Sequence, residues 1–317
     1  MTATLQAPPA APRPVIAHVG IPGLRLVRSE IRKITTTNAW WLFGIASLAF
    51  TGLALWVNIA EAAEHIARAR DTTQVFRPGR GMSAAEIAVA KAEFAQLHDL
   101  HLQAVNAAGN IFTSGQFFGL LLVMLLGTLV ITNEFQYQTA TATFLTTPQR
   151  TRVVFGKLLA VLGLGVLFWL VSRAVSFAAG LLFFHNIGLT NSLTEWPVQR
   201  AIIFNLVAYL LWALLGFGLG TLIHSQIGAV VTAMLIYLGG FVGGIGVFNL
   251  IRTYLIHGDW VLTSAVIMPP IASQVMVSPE KLYPQAAQWW VGVLVMTAWS
   301  LIAGAVGIML NRRRDIT

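Results

Sequence analysis

Cysteine is absent from the 317 residues, which excludes disulfides and thiol chemistry and leaves the redox compartment unread. Charge is nearly as scarce. Asp, Glu, Lys and Arg make up 10% of the chain, against about 25% in soluble domains, so most of the chain cannot face water. Catalytic constellations are missing as well: there is no His-Glu-x-x-His pair, no Gly-x-Ser-x-Gly elbow and no pair of carboxylates inside an apolar run. His98-x2-His101, beside Asp99 and Glu93, has no third ligand arranged nearby and reads as a solvated helix face; no metal is expected. No Gly-x4-Gly-Lys-Ser/Thr phosphate loop occurs, so the chain does not bind ATP in the P-loop manner. Residues 1–23 are rich in Ala and Pro and lack an apolar h-region, so no cleavable signal peptide is expected.

What is present is apolar. Hydrophobic residues form 56% of the chain and mean hydropathy is +0.72. Windows such as 117–131 and 291–310 are almost free of charge, where a soluble core helix would show polar faces. The net charge of +8 does not point to nucleic acid, because the Arg and Lys residues stand at the ends of the apolar runs, where anionic headgroups lie. The composition predicts an all-α integral membrane protein with membrane lipids around it.

Six spans are predicted, at 39–59, 111–132, 153–184, 201–223, 227–248 and 289–310. The third is long for one crossing and is expected to tilt, break or extend past the bilayer. Ahead of the spans, residues 1–38 comprise a Pro-rich lead-in and a basic amphipathic helix. Leu24, Val27, Ile31 and Ile34 make its apolar stripe, and Arg25, Arg28, Arg32 and Lys33 take the other faces, as suits a membrane surface. Residues 60–110 are the long polar insert. Ser83-Ala84-Ala85-Glu86 is a capping box that starts a helix, and Arg77-Pro78-Gly79-Arg80-Gly81 breaks the chain before it. The insert reads as a helical hairpin outside the bilayer. Between the fifth and sixth spans, Pro269-Pro270 interrupts an apolar stretch, which predicts short re-entrant or surface helices.

Basic residues set the orientation. Arg13, Arg25, Arg28, Arg32, Lys33, Arg150, Arg152, Lys157 and Arg312, Arg313 and Arg314 share one side, whereas the short loops opposite carry Arg200, Arg252 and Lys281. Both termini, the basic tail 311–317 and the segment 133–150 are therefore expected in the cytoplasm, with the protein in the plasma membrane.

The segment 133–150 joins spans two and three. Phe135 and Tyr137 stand beside polar residues, Pro148 ends the helix-compatible stretch, and Arg150, Arg152 and Lys157 follow at headgroup level. An ordinary connecting loop fits the same pattern. However, Glu134, Thr139, Phe144-Leu145, Pro148, Arg150 and Lys157 together resemble the coupling-helix region of type-2 ABC transporter permeases, with Gln138 where that family has Gly. The order of amphipathic helix, six spans and short helices between spans five and six is similar too. The insert resembles that of the drug, peptide and sodium-export branch.

The resemblance implies a permease subunit of an exporter for a hydrophobic or amphiphilic substrate such as a drug, lipid or peptide. ATP and Mg would be bound by a separate nucleotide-binding ATPase subunit, with no cofactor in this chain. It further implies two permease chains on two ATPases, with residues 133–148 and the amphipathic helix seated on the ATPase. Glu134 and Arg150 would transmit force. A different class, a non-transporting anchor or sensor whose insert binds an external partner, is the alternative.

Two further features stand out. Arg173 lies inside the third apolar run; either its head reaches the outer headgroups or it serves a substrate pathway. Gly216 and Gly220, and the pairs Gly239-Gly240 and Gly243-Gly244, give small-xxx-small spacing, which suits either packing within the subunit or a dimer interface.

Overall fold

The computed structural model describes residues 22–137, 150–223 and 225–313. Every regular element among them is helical. Helix α1 (Pro22–Thr35) turns into α2 (Ala39–Arg70) at a corner held by two indoles. Trp40 donates to the Thr35 carbonyl at 3.0 Å and Trp41 to Asn38 Oδ1 at 3.3 Å. The chain then forms α3 (Ala84–Leu97), α4 (Leu100–Phe112) and α5 (Gln116–Gln136). After residues 138–149 come α6 (Arg150–Ile187) and α7 (Trp196–Leu222). Next, α8 (Gln226–Met234) runs through a π-helical turn, Leu235–Gly239, into α9 (Gly240–Tyr254). Two short helices, α10 (Trp260–Ser264) and α11 (Pro269–Val277), precede α12 (Trp289–Arg313).

Six of these helical stretches are long and apolar enough to cross a membrane: Ala39–Arg70, Leu100–Gln136, Arg152–Ile187, Trp196–Leu222, Gln226–Tyr254 and Trp289–Gly307. Their burial differs sharply. The most apolar window of Leu100–Gln136 is 72% buried, whereas those of Ala39–Arg70 and Gln226–Tyr254 are each 17% buried. Helix α5 is therefore the axis of the bundle, and α2 and α8–α9 turn Trp56, Leu235 and Val242 outward. Apolar helices open on their outer faces need a non-aqueous surrounding.

Helix α7 packs along α5 because glycines let the two backbones meet. A Cβ at Gly216 would lie 2.1 Å from the Met124 carbonyl oxygen, and one at Gly220 would lie 2.7 Å from that of Thr128. Thr128 Oγ1 donates across this seam to the Gly216 carbonyl at 3.1 Å.

Several expected boundaries shift. Helix α2 continues past residue 59 because Ala62 and Ile66 pack into a second apolar cluster with Ile111, Phe112 and Phe184. The third apolar run is one helix of 38 residues, about 57 Å long at 1.5 Å per residue. The insert does form two helices, and α3 starts on its capping box, with Ser83 Oγ accepting from Glu86 N at 3.3 Å and Glu86 Oε2 from Ser83 N at 2.7 Å. Yet α4 does not stand apart: residues 104–109 are buried against α2, α6 and α7. The Pro-broken stretch bends by 102° between α10 and α11. It is not a surface element, since eight of the nine residues of α11 are buried.

Candidate functional site

Where α1, the end of α5 and the start of α6 meet, four charged side chains interlock. Glu30 accepts from Lys33 Nζ through one carboxylate oxygen and from Lys157 Nζ through the other, both at 2.9 Å. Glu134 Oε1 accepts from Lys33 Nζ at 3.2 Å and also from Lys157 Nζ. Lys157 and Glu30 are almost wholly buried, with side-chain exposures of 4% and 2%. The cost of burying two such groups is offset by the opposite charge that each meets in place. For Lys33, burial pulls the ammonium down, but the bonds and field of Glu30 and Glu134 together outweigh it and hold its pKa above the ordinary lysine value.

Sequence position explains the meeting. Glu30 lies on the same face of α1 as Leu26 and Ile34, and Leu26 rests on Gly156, where a Cβ would come within 3.0 Å. The buried face of α1 is thus rotated from the expected stripe: Ile34 is buried but Ile31 is 41% exposed. Lys157, expected at headgroup level, points inward, while Arg28, Arg32 and Arg152 face out. Phe135 packs against the core and Tyr137 is exposed. Thr139, Phe144, Leu145 and Pro148 lie outside the described residues, as do the side chains of Arg25 and Arg150. Beside the cluster, a cleft of about 320 Å³ runs between α1 and α5, with Asn133, Glu134 and Tyr137 at its polar end and Leu126, Leu129 and Val130 at its apolar end.

A second polar region lies deep in the bundle. Residues 113–115 interrupt the helix between α4 and α5, and Gly115 takes φ +79. Only glycine suits this position, because a Cβ would also fall 2.3 Å from Thr51 Oγ1. Arg173 on α6 donates through its two terminal nitrogens to the carbonyls of Phe112 and Ser114, which the break leaves unpaired. Its charge also matches the negative end of α4. Arg173 is 3% exposed, so its head does not reach outward; the helix break inside the protein claims it. No carboxylate pairs with it among the described residues. Nearby, Asn205 Nδ2 donates to Gln116 Oε1 and Gln116 Nε2 to Gln274 Oε1, both at 2.7 Å, which ties α7, α5 and α11 together.

No protein-family model matches this chain, and no curated protein matches its sequence. The functional reading therefore rests on the two sites and on the sequence pattern.

The glycines divide by direction. Gly216 and Gly220 pack on α5, and Gly240 and Gly244 meet Pro270, Ile271 and Met268 of the bent segment. An added Cβ at Gly239 or Gly243 meets no atom of the described residues within 4 Å. His98 and His101 have separate partners: His98 Nδ1 bonds the Phe94 carbonyl at 2.8 Å and His101 Nε2 lies 3.4 Å from Glu195. Sequence reasoning missed Glu30, Gln116, Asn205 and Gln274. A carboxylate among the arginines of α1 looks like a solvated residue, although its i+4 spacing from Leu26 and to Ile34 was there to be seen. Polar residues in otherwise apolar runs were the available signal for the other three.

Proposed function

We propose that this chain is the membrane-spanning permease subunit of an ATP-driven exporter of the type-2 ABC class, working with a separate ATPase subunit and a second permease chain. The observation that supports this most is the buried ion cluster. It fastens the amphipathic helix α1 to both helices that flank residues 138–149, the segment resembling a coupling helix. A push on that segment would move α1, α5 and α6 together rather than bend a slack loop. In this reading both termini and residues 138–149 face the cytoplasm, the protein lies in the plasma membrane, and ATP binding in the partner closes the ATPase dimer against this surface. The change is driven by contacts that differ between the two states.

Affinity purification of the full chain from its native membrane tests the class: an ATPase subunit should accompany it. Glu134→Ala should leave that complex intact and its ATP hydrolysis measurable while transport falls; transport at the wild-type level would remove Glu134 from any force-transmitting role. A second reading, an anchor or sensor, is favoured by α3, none of whose residues is buried. It predicts an external ligand or a signalling kinase in place of the ATPase.

A further inference from the structure

We propose that the polar layer around Arg173 receives the anionic head of an amphiphile whose tail lies in the groove between α2 and α6. This rests on the exporter reading and narrows its substrate class to anionic amphiphiles. The chemistry of the unpaired atoms carries the inference. Arg173 Nε, Ser176 Oγ, Trp212 Nε1 and Trp169 Nε1 are buried without a hydrogen-bond partner among the described residues; the acceptor in the same condition is Asn205 Oδ1. Arg and Trp nitrogens donate only, and the Ser176 hydroxyl can also donate. The layer is rich in donors and short of acceptors, and its guanidinium has no carboxylate partner among the described residues. A phosphate, sulfate or carboxylate head supplies acceptors and negative charge at once. A cationic head would add donors beside an unneutralised arginine.

Placement makes the layer one site. Arg173 and Ser176 lie within one turn of α6, and Asn205, Tyr209 and Trp212 follow one face of α7 at i, i+4 and i+7. The Tyr209 hydroxyl is hydrogen-bonded to the side chains of Ser172 and Arg173, which joins the two faces. Ser172 also connects the layer to the outside. A groove of about 300 Å³ between α2 and α6, walled by Trp41, Gly44, Ile45, Leu167 and Val171, has Ser47 and Ser172 in its lining. Their hydroxyls are 3.4 Å apart and buried. A tail along the open apolar groove thus places a head at Ser47 and Ser172, next to Arg173.

The test uses the full chain in nanodiscs of zwitterionic lipid and two photoprobes with the same diazirine-bearing dodecyl tail, one a phosphate and the other a trimethylammonium. Cross-links are mapped by mass spectrometry. The phosphate probe should label residues 44–48 and 167–172 at least about tenfold more than the ammonium probe, the scale expected for one matched against one opposed charge. Arg173→Gln should reduce the phosphate probe to the ammonium level, and Arg173→Lys should retain most of the preference. Gly44→Leu fills the groove from a position with open space and should remove phosphate labelling without disturbing the helix break. Equal labelling by both probes, labelling spread over the outer faces of α8 and α9, or a preference surviving in Gly44→Leu would each overturn the proposal. The readout needs no ATPase. Selective labelling in a chain that brings down no ATPase would end the exporter reading and leave this site standing.

Discussion

Removing Lys157 exposes how the ion cluster is balanced. In Lys157→Met, Glu30 and Glu134 are left to share Lys33, whose side chain is 45% exposed while that of Glu30 is 2% exposed. A buried carboxylate losing its buried partner costs about 3–5 kcal/mol, a large share of the 5–15 kcal/mol or so that holds a typical domain together. Glu30→Gln should fall near the lower end of the same range, about 3 kcal/mol, because Lys157 keeps Glu134. The double variant Glu30→Gln/Lys157→Met buries two neutral groups instead of one unpaired ion. Its cost should therefore fall short of the summed single effects by about 2–3 kcal/mol. Lys33→Ala, at the exposed edge, should cost about 1 kcal/mol or less. The assay is reversible unfolding in mixed dodecylmaltoside–SDS micelles, followed by tryptophan fluorescence. Additivity of the Glu30 and Lys157 effects within about 0.5 kcal/mol would refute the claim that they form one buried pair.

Other outcomes follow from single contacts. Gly216→Ala sets a methyl against the Met124 carbonyl and should destabilise by about 1–3 kcal/mol in the same unfolding assay. Gly243→Ala has open space around it and should stabilise the isolated chain by up to about 1 kcal/mol; if a second permease chain packs there, Gly243→Leu should abolish that association in light scattering. Burial raises the Glu280 carboxyl above the ordinary value, with His65 pulling the other way. Its stabilisation is then full below the unfolded pKa and lost as pH rises through the folded one, so Glu280→Gln, which keeps an oxygen for Asn106 Nδ2, should melt at a higher temperature than the parent at neutral pH and flatten the pH profile across that window. Ser83→Ala should remove about 1 kcal/mol of α3 stability, seen as faster amide exchange over residues 84–87.

The six apolar helices were legible because hydropathy over about twenty residues is a strong signal, and the capping box at Ser83 marked the start of α3 within a residue. The interior was harder to read. The break at Thr113-Ser114-Gly115 sits inside the stretch 111–132 expected as one span and depends on Thr51 and Arg173, which are distant in sequence. Pro269-Pro270 announced an interruption and left a re-entrant or a surface helix open for α11; that the following turns are swallowed by the bundle is decided by α12 and α7. Glu30 and Lys157 illustrate the same limit. Lys157 was placed at the headgroups by its local pattern and Glu30 was not singled out, whereas their pairing is a tertiary event that local pattern does not show. Gly216 and Gly220 were recognised as packing residues, but spacing alone could not name α5 as the partner.

Helix α6 carries both polar sites on one rod, with Lys157 and Arg173 about 24 Å apart along its axis. Leverage follows from that length. If the Lys157 end is the fulcrum, a tilt of about 5° sweeps Arg173 through about 2 Å, enough to carry a guanidinium out of the 2.7–3.2 Å range of an N–H···O bond. A small rocking at the ion cluster is thereby magnified into the making or breaking of the clasp on the α4–α5 joint.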